Sequence, residues 1–506
     1  NTSKASGPDG IPNRILKECS KQLAPGLTMI FQKSINTGTL PRDWLNANIS
    51  SVFKKGDKHA PENYRPVSLT SVPCKLLEHI ICRHILKHLE KHRVLTSLNH
   101  GFRSGYSCET QLLVTLHDFM KAFDAGKQID VAILDFSKAF DTVPHNKLLH
   151  KMNEYGIRGP LNKWLEMFLT QRKMKAVVDG EESEEASVDS GVPQGTVLGP
   201  LLFLCHINDL PDSVQSSVRL FADDCLLYRN INSQHDHTLL QRDLQNLEVW
   251  ATNWGMRFNA KKCYILSIKN KSQKMYSLDG HVLQQVQHNP YLGLQISEDL
   301  KWTTHISNVA KKANSTLGFL RRNLRFCPKD CKKTAYISLV RSTMEYGAII
   351  WDPYTQHDIN QLERIQRRAA RFITGDYRSR EEGSVTKMLA ELELDNLQTR
   401  RTSQRLVFLY KVVEGLVPAI NPDDFLVKSK PKRKIKPKTF DNFVCANIVT
   451  NSVKNNSKAL DTIPSNTDPY KNSFFVKSVL HWNQLEDRIV CADTVESFKA
   501  ALQHRQ

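Results

Sequence analysis

The stretch SVRLFADDCLLYR (217–229) constrains the fold more than any other part of the chain. Two adjacent aspartates, Asp223 and Asp224, interrupt an otherwise apolar segment. Leu220, Phe221 and Ala222 precede them; Leu226, Leu227 and Tyr228 follow. The pattern predicts two strands of a hairpin with Asp-Asp at its turn. Carboxylates are rarely set so close to a core without a partner. Held side by side they repel, and a divalent cation removes that cost. The hairpin therefore calls for an oxygen-preferring ion, Mg²⁺ first.

A third carboxylate lies upstream. In DVAILDFSKAFDTVPH (130–145) the apolar run Val131 to Leu134 ends at Asp135. That reads as a buried strand carrying one acid at its tip. Asp135 and Asp223 are far apart in sequence, so they meet only if their strands lie side by side. Three carboxylates on two strands suit a two-metal phosphoryl-transfer site, with ions about 3.5–4 Å apart stabilising the attacking and leaving oxygens. Taken singly, each aspartate reads equally well as a surface turn residue.

At 506 residues the chain has room for two to four domains. Its 70 Lys+Arg against 52 Asp+Glu give a net charge of +18, which points to a polyanionic partner, nucleic acid before an acidic membrane. Apolar runs such as GPLLFLC (199–205) are too short to span a bilayer, so no membrane is expected. The chain opens on Asn1 rather than Met, which reads as a fragment of a longer protein, and no charged-then-apolar leader is visible. Eleven cysteines without paired spacing fit a reducing, intracellular compartment.

Helices are predicted at about 75–92, 110–125, from 146, and over the Leu240–Trp254 stripe that Gly255 stops. MKAVV, Asp179-Gly180 and an acidic return strand predict a hairpin within 174–192. GVPQGTVLGPLLFLCHIND (191–209) reads as a turn entering a buried helix, and strands are expected near 257–269 and 291–296. From about 300 helical patterns dominate: 303–325, 331–347, 358–374 and 397–414. KSKPKRKIKPK (428–438) reads as a basic linker, and Phe474, Phe475, Val479, Leu480, Trp482 and Leu485 predict a tail that packs.

LDFSKAFDTVPH, SGVPQGTVLGPLLF, FADD and YLGLQI, in this order, resemble the reverse transcriptase of non-LTR (LINE-type) retrotransposons, jockey and chicken-repeat-like groups especially. NYRPVSL (63–69) and GFRSGYSCETQLL (101–113) resemble that family's fingers motifs, and KASGPDGIP (4–12) resembles the segment between its endonuclease and polymerase. RIQRRAARFITG (364–375) and SFFVKSVLHWNQL (473–485) resemble its C-terminal portion.

The resemblance implies an α+β right-hand polymerase. Its fingers, its palm (an antiparallel sheet with helices on one face) and a helical thumb would be followed by a mainly helical C-terminal region. The corresponding divisions are an N-terminal extension at 1–35, fingers and palm at 36–297, thumb and further helices at 298–420, and linker and tail at 421–506. It implies RNA-templated DNA synthesis with two Mg²⁺ ions (Mn²⁺ as an alternative), an RNA template, a DNA primer or target, and deoxynucleoside triphosphates. It also implies residence in nucleus and cytoplasm as a ribonucleoprotein. The family's endonuclease, which normally precedes the polymerase, is expected to be lost or to lie upstream, and its Cys/His knuckle has no clear counterpart in these residues.

Residue by residue, Asp135, Asp223 and Asp224 match the catalytic acids and metal ligands, with the Phe136 carbonyl a further metal ligand. Phe140 matches the aromatic that excludes a 2′-hydroxyl, its alternative being plain core. The Lys138 and Ala139 amides would face the triphosphate, and Gln194 the incoming nucleotide. Arg65, and Lys54 or Lys55, would hold phosphates from the fingers. Asp141 is expected to cap the next helix. Lys261 or Lys262 is a candidate acid for the leaving pyrophosphate, and Tyr291-Leu292-Gly293 resembles the primer grip.

Three patterns have plainer readings. His84, His88 and His92 share a helix face without a complete zinc ligand set. Cys327 and Cys331 lack a second pair. Arg364, Arg367, Arg368 and Arg371 read as a solvated face or a nucleic-acid contact. The rival to an active polymerase is a catalytically silent nucleic-acid-binding remnant of the same fold.

Overall fold

The computed structural model describes residues 2–3, 5–272, 274–429 and 456–503. Lys4 of the KASGPDGIP motif and most of the expected basic linker (430–438) lie outside them.

The organising strand is β3 (Gln128–Leu134), buried along nearly its whole length. A strand so rich in Val, Ile and Leu must be covered on both faces. It pairs antiparallel with β6 (Asp224–Ile231), Leu134 opposite Cys225, and with β7 (Tyr264–Ile268), Ile133 opposite Tyr264. β5 (Ser217–Phe221) completes a hairpin with β6, and β8 (Gln284–Val286) adds a parallel edge beside β7. The order is β8-β7-β3-β6-β5.

Alternation sends side chains of this sheet into two cores. Ile129, Val131, Leu226, Tyr228, Leu266 and Ile268 enter one, with α3 (Cys108–Asp124) and the C-terminal helices. Ala132, Leu134, Val218, Cys225, Leu227 and Ile265 enter the other. There they meet α2 (Val72–Lys91), α4 (His145–Glu154), α6 (Leu198–Ile207) and α7 (Gln234–Trp254). The expectation of helices on one face only is thereby corrected. The C-terminal helices and α3 cover the face expected to be open.

A second sheet, β2-β1-β4, stands beside this one. β1 (Asn46–Phe53) pairs antiparallel with β2 (Tyr64–Thr70) and parallel with β4 (Lys173–Val178). β9 (His288–Tyr291) and β10 (Leu294–Ser297) form a separate hairpin. The helical region contains α8 (Thr303–Asn323), α9 (Gln356–Thr374) and α10 (Leu397–Val413). The single helix expected at 331–347 is divided by a π-helical turn at Tyr336–Arg341.

The tail packs, as its apolar residues predict. Phe474, Phe475, Val479 and Trp482 of α11 (Phe474–Trp482) are buried in the core that α3 and α10 share. Asp124 accepts from the Thr467 amide at 2.6 Å, and Asp352 pairs with Arg401 (3.0 Å), Arg405 (3.2 Å) and Lys477 (2.8 Å). Among the described residues no helix is long and apolar enough to cross a membrane, and the ten cysteines are free thiols.

Candidate active site

The pairing of Leu134 with Cys225 fixes the site. One step beyond it, Asp135 leaves β3 beside Asp224, the first residue of β6. Phe221 pairs with Asp224, so the two turn residues are Ala222 and Asp223 rather than the two aspartates. Ala222 takes a left-handed backbone (φ 54°).

Asn99, which sequence reasoning missed, supports this turn. Its Oδ1 accepts from the Ala222 amide at 3.2 Å and the Gly101 amide at 3.0 Å. The His100 amide donates to the Leu220 carbonyl, and Leu220 N–H to the Leu98 carbonyl. A Cβ on Gly101 would lie 2.4 Å from the Ala222 nitrogen, so only glycine lets the GFR segment lie against the hairpin. An unexplained glycine before Phe102 was the available signal.

The three acids share one field. Burial raises the Asp223 pKa, and Asp135 raises it further, while Lys54 and Arg65 oppose the rise. Burial, then Asp223 and Asp135, push Asp224 up to about 6, against Lys54. The cations come from the β1–β2 hairpin, whose ladder the Lys54 amide extends by donating to Asn63 O at 2.8 Å. Lys55 is exposed nearby in sequence. Lys262 Nζ stands 3.9 Å from an Asp135 oxygen; Lys261 has no such contact among the described residues.

Phe136 sits in an isolated bridge with Phe258, on which its ring stacks at 4.3 Å. The flanking bonds run from Ser137 N to Arg257 O and from Asn259 N to Asp135 O, and neither uses the Phe136 carbonyl. Among the described residues no group of three His, Cys, Asp or Glu side chains closes into a metal cage. Mg²⁺ seldom uses such a cage, relying on one or two carboxylates plus substrate phosphates and water. Carboxylates whose charged forms burial and neighbouring acids disfavour are the donor set such an ion relieves.

Phe140 lies half-buried, stacked on Phe203 (4.4 Å, 17°) with Phe102 edge-on at 6.1 Å. Lys138 is exposed with φ 47°, and Ala139 is buried. Gln194 is carried by a loop laced to this turn. Its Nε2 donates to Asp141 at 2.9 Å, and its carbonyl accepts from Ser68 N–H at 2.7 Å. Asp141 therefore does not cap the next helix; Pro144 stands at that N-cap position, without a side-chain cap. Arg65 lies on β2, opposite Val52.

Tyr291-Leu292-Gly293 ends β9 and turns into β10. Leu292 (φ 46°) and Gly293 (φ 84°) form the two-residue left-handed turn that a tight hairpin needs. Tyr291 is buried and receives a bond from Gln111 Nε2 at 3.3 Å. Tyr346, also missed in the sequence, donates its hydroxyl to the Leu292 carbonyl at 3.0 Å. A Cβ on Gly293 would come within 2.8 Å of the Tyr346 ring.

His88 bonds the Tyr155 carbonyl at 2.8 Å, which occupies it structurally. Arg364, Arg367 and Arg368 are exposed on α9, and Arg368 donates to Asn314.

Residues 53–296, which hold every one of these acids, match the family model described as reverse transcriptase (RNA-dependent DNA polymerase). They are similar to the reverse transcriptases of non-LTR retrotransposons. The chain is 27% identical over 389 residues to the RNA-directed DNA polymerase from mobile element jockey of Drosophila melanogaster, covering 74% of this chain and 42% of that protein. It is 28% identical over 388 residues to the probable RNA-directed DNA polymerase from transposon BS of the same species, covering 73% and 43%. The chain thus spans less than half the length of these relatives. The chain also overlaps loosely with the structure of apo telomerase from Candida tropicalis truncated from its C-terminal domain. That overlap has a TM-score of 0.34 and 12% identity, over 55% of this chain and 58% of that one, too loose to carry an argument.

Proposed function

We propose that the chain is an RNA-directed DNA polymerase that copies the RNA of a non-LTR retrotransposon. The observation that carries this reading is the convergence of Asp135 with the Asp223–Asp224 hairpin on adjacent strands, where burial first, and the neighbouring acids after it, raise the pKa of both hairpin acids. In this reading β1, β2 and β4 are fingers, the five-stranded sheet is the palm and α8 begins the thumb. The divisions at 35, 297 and 420 separate extension, catalytic unit, thumb and tail.

The acids fit a pair of Mg²⁺ ions held by Asp135, Asp223, Asp224 and the Phe136 carbonyl, which would supply charge neutralisation at the transferring phosphoryl group. The chain's own groups do the rest. Lys54 and Arg65 hold the triphosphate from the fingers side, with the Lys138 and Ala139 amides beneath it. Phe140, wedged between Phe203 and Phe102, fills the space beside C2′ of the sugar. Gln194 contacts the nucleotide from the loop opposite. Lys262 is placed to donate a proton to departing pyrophosphate. Tyr291, Leu292 and Gly293 hold the primer end. The partners are an RNA template, a DNA primer and deoxynucleoside triphosphates, and the place of action is nucleus and cytoplasm as a ribonucleoprotein.

The test is extension of a DNA primer on an RNA template by the purified chain with Mg²⁺ and deoxynucleotides. Extension supports the polymerase. Tight template binding without extension under any divalent ion supports the silent remnant instead.

A further inference from the structure

Asp141 has no part in the metal chemistry and does not cap a helix, yet it sits between the two residues assigned to the nucleotide. Its neighbour Phe140 donates nothing but a ring. Its own carboxylate receives the Gln194 Nε2 at 2.9 Å. The backbones are locked together at the same point. Val192 N–H donates to the Phe140 carbonyl at 2.7 Å, and the Ser190 hydroxyl to the Asp141 carbonyl at 2.9 Å. Gly191 (φ 90°) makes this approach possible, because a Cβ there would lie 2.7 Å from the Asp141 oxygen. Asp141 and Gln194 both line a cavity of about 590 Å³ between the β1–β2–β4 sheet and the 188–194 loop.

A side-chain amide has a donor end and an acceptor end that differ little in shape. An ionised carboxylate only accepts, so Asp141 selects the donor end of Gln194. We propose that Asp141 is the positioning residue for Gln194: it captures Nε2 and so presents Oε1 to the incoming nucleotide as an acceptor of fixed orientation. Without it the amide turns freely, and a donor and an acceptor compete for the same place. The loss falls on nucleotide binding rather than on the chemical step, because Asp141 touches none of the three metal-site acids. This inference rests on the polymerase reading.

The experiment is steady-state primer extension on an RNA template, with KM for deoxynucleotide and kcat measured for the full chain and for Asp141→Ala, Asp141→Asn, Gln194→Ala and the Asp141→Ala/Gln194→Ala double variant. Asp141→Ala should raise KM about tenfold, the cost of one such hydrogen bond to a charged group, with kcat changed much less. Asp141→Asn retains an acceptor oxygen and should restore KM to within about threefold of the parent. The double variant should be no worse than Gln194→Ala alone, since the two residues act through one contact. An unchanged KM in Asp141→Ala, effects that multiply in the double variant, or an Asp141→Asn as impaired as Asp141→Ala would each overturn the assignment. A parent chain that fails to extend the primer would overturn the polymerase reading and this inference with it. An active parent with an indifferent Asp141→Ala overturns this inference alone.

Discussion

Phe140→Ala tests the sugar choice assigned to the site. The ring is half-buried, packed flat on Phe203 at 4.4 Å and edge-on to Phe102 at 6.1 Å. Truncating a fully buried Phe costs about 3–5 kcal/mol. A half-buried one should cost roughly 2 kcal/mol, and the rest of the core that contains Phe203 stays intact. The variant should therefore fold, and it keeps every acid. What it loses is volume beside the sugar. A hydroxyl is about the size of a methylene, and a pocket discriminates one such group by about 1–3 kcal/mol, or roughly 10–200-fold. The assay is the ratio of kcat/KM for ribonucleotide to that for the matching deoxynucleotide, on one RNA template. That ratio should rise by roughly 10–200-fold in Phe140→Ala. A change of less than about threefold in an active variant would assign the ring to core packing with Phe203 and remove it from the site.

Gly293→Ala should weaken primer use, because φ is 84° and the new Cβ would meet the Tyr346 ring at 2.8 Å. The expected local cost is at least about 1 kcal/mol, read as a higher KM for primer at unchanged deoxynucleotide KM. Stability should fall on acidification. Burial first holds His100 and His206 at about 3 and His117 and His305 at about 4. These folded values lie below the ordinary value near 6.5, so the stabilisation is present above about 6.5 and is lost as pH falls toward 3–4, by up to about 1.4 kcal/mol per pH unit for each group. Thermal melting at pH 7 and pH 5 checks it, and an equal or higher Tm at pH 5 would contradict it. Binding to a primer–template should drop about a hundredfold between 50 and 200 mM salt if about four phosphates are neutralised, and a salt-independent affinity would refute the argument from net charge.

Much of the centre was legible because it obeys short-range rules. The apolar run into Asp135 and the interrupted apolar segment around Asp223 each encode a strand with an acid at one end. The repulsion between acids brought together then calls for a cation. Gly255 ends α7 in the left-handed conformation (φ 72°) that its position after Trp254 implies. What stayed hidden depends on contacts between distant segments. The turn slipped one residue, to Ala222-Asp223, because Asn99 and the amide at Ala222 decide its geometry. Asp141 looked like a helix cap from its place before a helix, while its true partner lies on the Gln194 loop. Tyr346 is an ordinary tyrosine in sequence; only the packing of the C-terminal helices against β9–β10 brings it to Leu292. The second covered face of the sheet was unreadable for the same reason. A strand buried on both sides shows no alternation that tells which helices cover it.

The central claim is that Asp135, Asp223 and Asp224 together form a metal-dependent polymerisation centre. Single-nucleotide extension of a DNA primer on RNA by Asp223→Asn, across a Mg²⁺ titration and beside the parent chain, tests it most directly. The substitution keeps size and removes one negative charge from a site where burial, then Asp223 and Asp135, push Asp224 up to about 6. The rate should fall by at least about a hundredfold with deoxynucleotides and ribonucleotides alike, as removal of a major electrostatic group at a transition state does. Raising Mg²⁺ should not restore it. Extension by Asp223→Asn within about tenfold of the parent, at the same Mg²⁺ dependence, would contradict the account.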